Sequence, residues 1–181
     1  MEKIKVSDRT FKSYLSKERI QAAVTRVAQE ISKDLEGVER PLFVCVLNGA
    51  FVFASDLFRQ ITLPDAEITF IRMKSYEGTR TTGKVKTIVG LIESVVDRDV
   101  VIVEDIVDSG YTMQRLISQL SDLGARSIKV CCLLKKPAAM KVTDLKLDYV
   151  ALEIPNDFIV GYGLDYNEQG RNLPDIWVVG E

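Results

Sequence analysis

The chain of 181 residues contains no histidine. That absence removes Ser-His-Asp and Cys-His nucleophile systems, H-E-x-x-H zinc sites and any imidazole acid–base catalyst. Proton transfer in an enzyme of this composition falls to carboxylates, lysine, tyrosine or a bound ligand. Cysteine is scarce. Cys45, Cys131 and Cys132 form no C-x-x-C pair, which argues against a thiolate metal site, and all three lie in apolar strand-like runs, as reduced core thiols of a cytosolic protein do. No G-x-G-x-x-G follows a strand-like run and no G-x-x-x-x-G-K-[ST] occurs, so the usual dinucleotide and nucleoside-triphosphate loops are missing. No apolar run of signal or membrane-spanning length is present, and the expectation is a cytoplasmic protein with no membrane contact. Charge of one sign is also lacking: 24 Lys and Arg face 26 Asp and Glu, a formal net charge of −2. That balance argues against an extended nucleic-acid surface.

What is present is a well-stocked core. With 46% hydrophobic residues, residues 1–181 read as one domain, large enough to bury roughly two thirds of its unfolded surface. Ile20, Val24, Val27, Ile31 and Leu35 recur at helical spacing between Ser16 and Gly37. Leu42–Leu47 is an apolar strand that breaks at Asn48-Gly49-Ala50, and a helix resumes over Phe51–Ile61. That strand, turn and helix unit is either a tight connection or an anion site. Glu67–Lys74 and Val85–Ile92 read as strands around a polar, glycine-bracketed stretch, Ser75–Lys84, which fits a mobile lid or a solvated hairpin end. Ser127–Leu134 is a buried strand ending at Lys135-Lys136-Pro137. Asp144–Ile154 contains a strand with Leu145, Leu147 and Tyr149 alternating, and Ile176–Val179 closes the chain as a small edge strand. The order predicts an α/β fold: a mostly parallel central sheet with helices on both faces and a small appendage of terminal pieces.

One stretch organises the rest: Val100-Val101-Ile102-Val103-Glu104-Asp105-Ile106-Val107-Asp108-Ser109-Gly110-Tyr111-Thr112. Four β-branched residues predict a strand buried on both faces, stopping at two carboxylates. Small polar residues then open an amphipathic helix carrying Met113, Leu116, Ile117, Leu120 and Leu123. Such a strand-to-helix turn lies at the carboxyl edge of a sheet, where open α/β folds bind ligands. Backbone N–H groups at the helix start favour an anion, and Ser109 and Thr112 add hydroxyl donors. Adjacent carboxylates suit vicinal sugar hydroxyls and attract Mg²⁺, so the pattern suggests a ribose 5-phosphate. The alternative is an acidic strand end with Asp108 as an ordinary helix N-cap.

This stretch resembles the 5-phosphoribosyl-1-pyrophosphate motif of type I phosphoribosyltransferases. Leu47-Asn48-Gly49-Ala50 is similar to that family's pyrophosphate loop, Lys74-Ser75-Tyr76-Glu77-Gly78 to the start of its mobile catalytic loop, and Leu133-Leu134-Lys135-Lys136-Pro137 to its purine-reading lysine segment. The segment from Glu153 to Glu168 resembles its base-covering hood. The matches follow the family's order from about residue 40 to 172, and the branch most resembled acts on hypoxanthine, or on hypoxanthine and guanine.

The resemblance implies a type I phosphoribosyltransferase fold with a hood built from the N-terminal segment and about residues 153–181. It implies purine salvage, in which hypoxanthine or guanine and 5-phosphoribosyl-1-pyrophosphate give IMP or GMP and pyrophosphate. Glu104 and Asp105 would hold the ribose hydroxyls, and Asp108, Ser109, Gly110, Tyr111 and Thr112 the 5′-phosphate, with Asp108 also the general base. Asn48, Gly49 and Arg171 would meet pyrophosphate. Lys136, Phe158, Ile159 and Asp165 would bind the purine, while Lys135 stays outside the site. Mg²⁺ would be held by Glu104, Asp105 and Asp165, and Ser75 and Tyr76 would close as a lid, shielding an oxocarbenium-like transition state from water. Partners implied are the sugar pyrophosphate, a 6-oxopurine and copies of the same chain in a homodimer or homotetramer, with no nucleic acid and no membrane. Rival readings are a xanthine-preferring transferase and a regulatory protein that binds phosphoribosyl ligands. One departure stands out: the family's pyrophosphate loop usually carries Lys or Arg where this chain has Asn48.

Overall fold

The computed structural model describes residues 2–76 and 85–180. It contains β1 (Lys3–Val6), β2 (Arg9–Leu15), α1 (Lys17–Asp34), β3 (Leu42–Val46), α2 (Phe51–Phe58), β4 (Glu67–Tyr76), β5 (Val85–Val89) and β6 (Asp99–Val107). There follow α3 (Tyr111–Asp122), β7 (Ser127–Lys135), a 3-10 turn at Pro137–Ala139, β8 (Tyr149–Glu153), β9 (Ile159–Val160) and β10 (Ile176–Val179).

The central sheet has the order β5-β4-β3-β6-β7-β8; β5 pairs antiparallel with β4 at one edge, and the other neighbours are parallel. Period-2 alternation explains the unbroken apolar runs. Phe43, Cys45, Val101, Val103, Cys131 and Leu133 face one core, shared with Ile20, Val24, Val27 and Ile31 of α1 and with Phe53 and Leu57 of α2. Leu42, Val44, Val100, Ile102, Val130 and Cys132 face the other, shared with Met113, Leu116 and Leu120 of α3. Each fully buried aliphatic side chain contributes about 1.5–3 kcal/mol, which is why the central strands carry no polar face. The first helix begins where expected, with Ser16 as N-cap accepting from the Arg19 N–H.

A second, antiparallel sheet has the order β1-β2-β10-β9 and forms the hood, closed over a small core of Phe11, Val160 and Trp177. Among the described residues no helix is long and apolar enough to cross a membrane.

Several boundaries differ from expectation. β6 does not stop at its carboxylates: Glu104 pairs with Cys132, Ile106 with Leu134 and Val107 with Lys135, so pairing with β7 carries the strand past both acids. β8 starts at Tyr149, and Leu145 and Leu147 instead pack as loop residues against the α3 core. The chain joins β7 only at Asp148, whose N–H bonds the Val130 carbonyl and whose carboxylate accepts from the Val130 N–H, at 2.9 Å each. β10 is an interior strand of the hood, between β2 and β9. β4 runs on through the backbone of Ser75 and Tyr76, opposite Lys86 and Val85. The rest of the expected lid, residues 77–84, lies outside the described residues.

Candidate active site

Chain order reverses between β3 and β6. After β3 the chain builds outward through β4 and β5, then returns to lay β6 on the other side of β3. The carboxyl ends of these two strands therefore diverge into a crevice, the standard ligand position of an open α/β sheet. Two turns flank it: Leu47–Ala50 after β3, which contains a cis peptide between Leu47 and Asn48, and Asp108–Gly110 after β6.

The second turn forms a cup. The N-cap of α3 is Gly110, with no side-chain capping bond, so Asp108 does not cap the helix. The opening turn of α3 lies at this cup, where the N–H groups of a helix start favour an anion. A cavity of about 80 Å³ opens here between Glu104, Asp108, Ser109, Gly110 and Thr112. The Ser109 carbonyl accepts from the N–H groups of Lys141 and Val142, at 3.0 and 3.2 Å, which braces the cup from behind. Asp108 is exposed, and Tyr111 supplies the first residue of α3 while its ring stays on the surface.

The acids at the end of β6 differ in surroundings. Glu104 is 7% exposed. Asp105 accepts from the Ile106 N–H at 2.8 Å, and burial holds its pKa above the ordinary carboxylate value despite that bond and the charge of Arg171. Its carboxylate lies against the main chain of Gly49, where a Cβ would overlap it. Gly163, at φ +96°, in turn packs its own backbone against the Gly49 carbonyl. Arg171 closes this side: its guanidinium donates to the Gly163 carbonyl at 2.8 Å and pairs with Asp165 at 2.7 Å. Asp165 also accepts from the Glu168 N–H at 2.8 Å. Asn48, Gly49, Asp105, Asp165 and Arg171, expected around pyrophosphate and metal, thus converge with Gly163.

On the other flank, Lys136 follows β7 and its N–H bonds the Val107 carbonyl at 3.1 Å, placing it beside the cup. The residue is only 8% exposed, and among the described residues no carboxylate pairs with its ammonium. Lys135 points elsewhere, to Glu153 at 2.8 Å. Phe158 and Ile159 lie in the hood. The Phe158 ring, 42% exposed, rests against Phe11 and edge-on to Tyr166, with centroids 6.2 and 5.6 Å away. Ile159 sits opposite Val178, while the Val179 N–H bonds the Phe158 carbonyl at 2.9 Å. In that antiparallel register the N–H and C=O of Ile159 itself face away from β10, on the open edge of the hood sheet.

Residues 10–167 match the phosphoribosyl transferase domain. The chain belongs to the phosphoribosyltransferase family. This phosphoribosyltransferase is 39% identical over 171 residues to the hypoxanthine-guanine phosphoribosyltransferase of Streptococcus thermophilus, covering 94% of this chain and 93% of that one. It is 40% identical over 169 residues to the bifunctional protein TilS/HprT of Listeria monocytogenes, of which it spans about a quarter: 93% of this chain matches 26% of that protein. A crystal structure of a hypoxanthine-guanine phosphoribosyltransferase from Bacillus anthracis superposes with a TM-score of 0.82 at 40% identity, over 94% of this chain and 98% of that one. The central sheet and its flanking helices are the type I phosphoribosyltransferase fold.

Some participants carried no local sequence signal. Arg72 of β4 donates to the Asn48 side chain at 2.9 Å across 24 positions. Tyr162 and Gln21 both donate to Asp56, each at 2.6 Å, and so tie hood, α1 and α2 together.

Proposed function

We propose that this phosphoribosyltransferase joins N9 of a 6-oxopurine, hypoxanthine or guanine, to C1 of 5-phosphoribosyl-1-pyrophosphate, giving IMP or GMP and pyrophosphate in purine salvage. Residues 1–181 act as one domain in this reading. Lys136 carries the proposal: it stands beside the cup with 8% of its surface exposed, no carboxylate among the described residues pairs with its ammonium, and a purine 6-oxo group supplies an acceptor. Adenine presents a donor there.

Glu104 and Asp105 hold the ribose hydroxyls, and Asp108 with the Ser109–Thr112 turn holds the 5′-phosphate, which fixes the sugar while the base is exchanged. The C1–O bond to pyrophosphate breaks as N9 bonds to C1, and the purine N7 proton passes to the Asp108 carboxylate. Phe158 covers the base and the backbone of Ile159 reads its edge. Asn48, Gly49 and Arg171 receive pyrophosphate, and Ser75 and Tyr76 close over it.

The adjacent carboxylates of Glu104 and Asp105 are oxygen donors of the kind Mg²⁺ takes, although among the described residues no group of three acidic side chains closes on one point. Glu104, Asp105 and Asp165 would hold the ion, directly or through water. Bound there, it neutralises the charge developing on the leaving pyrophosphate. The enzyme acts in the cytoplasm as a homodimer or homotetramer. The test is pyrophosphate release from 5-phosphoribosyl-1-pyrophosphate, which must depend on added 6-oxopurine.

A further inference from the structure

Asn48 is a neutral side chain on a loop that, in the reading above, meets a highly charged anion. It is bonded to a cation. Arg72 donates to Asn48 Oδ1 at 2.9 Å. The contact follows from topology: β4 runs parallel to β3, and the Leu47 N–H bonds the Ile71 carbonyl at 2.8 Å, so loop and strand are joined immediately before the two side chains meet. Among the described residues no carboxylate neutralises Arg72, whereas Arg171 is paired with Asp165, and Arg40 and Arg98 with Glu67.

A guanidinium has donors only, so the Asn48 atom it meets must be the oxygen. This chemistry fixes an amide orientation that is otherwise ambiguous. The Nδ2 group, with both of its N–H donors, is turned away from Arg72, and a charge-assisted bond at the oxygen polarises it into a better donor.

We propose that Arg72 is a positioning residue for pyrophosphate: through its bond to Oδ1 it holds Asn48 with its amino group presented to the anion. The proposal rests on reading the Asn48 loop as the pyrophosphate site.

The test is titration of magnesium pyrophosphate into the wild-type chain and into Arg72→Ala, Arg72→Lys, Asn48→Ala and the Arg72→Ala, Asn48→Ala pair, with thermal melting as the folding control. Arg72→Gln replaces Arg72→Ala if the latter melts early. Arg72→Ala should weaken binding about tenfold, and Arg72→Lys should recover part of the loss. The double variant should bind no more weakly than Asn48→Ala, because Arg72 acts through Asn48. In turnover, KM for 5-phosphoribosyl-1-pyrophosphate should rise while KM for hypoxanthine stays constant. Unchanged binding in Arg72→Ala, or fully additive losses in the pair, overturns the proposal. Because the titration needs no turnover, a chain that makes no nucleotide while these binding differences persist refutes the transferase reading and leaves the role of Arg72 intact.

Discussion

The main chain of Gly49 lies directly against the carboxylate of Asp105, so the loop proposed to meet pyrophosphate and the acid proposed to hold ribose share one wall. Any side chain at residue 49 must push one of them aside. Gly49→Ala is therefore expected to lower kcat/KM at least about 100-fold, the scale of an ångström's misplacement of reacting groups. Steady-state kinetics beside a melting curve checks this; activity within a few fold of wild type would show that the two turns are not in mutual register.

How much of this was legible beforehand depended on where the information lies. The run Val100–Val103 shows its two-sided burial because each residue meets a core on its own face. The repeat Ile20, Val24, Val27, Ile31 shows α1 for the same reason. The extent of β6 was not legible, since pairing with β7 carries it through Glu104 and Asp105, two residues that locally read as a stop. Asp108 read as a possible cap, yet the chain turns two residues later, at Gly110. The Gly49, Asp105 and Gly163 stack, and the Arg72 bond to Asn48, join positions far apart in sequence and leave no local pattern. Motif order located the loops; only the fold shows which of them touch.

Asp105 predicts a trade of stability for function. Burial raises its folded-state pKa above the ordinary 3.8, so the native state binds its proton more tightly than the unfolded chain does. Stability from this group is fully present below pH 3.8 and is lost as pH rises through the folded value. Asp105→Asn should therefore melt higher than wild type at pH 7–8, with the gap closing towards pH 4, while turnover collapses. A lower melting temperature at neutral pH would contradict the assignment.

Tyr162 fastens the hood. Its hydroxyl donates to Asp56 of α2 at 2.6 Å, and the next residue, Gly163, contacts Gly49. Tyr162→Phe should cost about 1–2 kcal/mol of stability, a fall of several degrees in Tm. Burial and Asp56 both push the phenol pKa above 10, so the bond's contribution is complete below pH 10 and declines as pH rises through the folded value. Melting curves of both proteins from pH 7 to 11 check this: they should converge only at the alkaline end.

Lys136 carries the account. The decisive measurement is kcat/KM with 5-phosphoribosyl-1-pyrophosphate and each of hypoxanthine, guanine, xanthine and adenine, for wild type and Lys136→Ala. Wild type should convert hypoxanthine or guanine with stoichiometric pyrophosphate release and prefer it over adenine by at least about 100-fold, as a site built to bond one polar group rejects a ligand that lacks it. Lys136→Ala should lose most of that preference. Turnover of no purine by the wild type, or equal use of adenine and hypoxanthine, would contradict it.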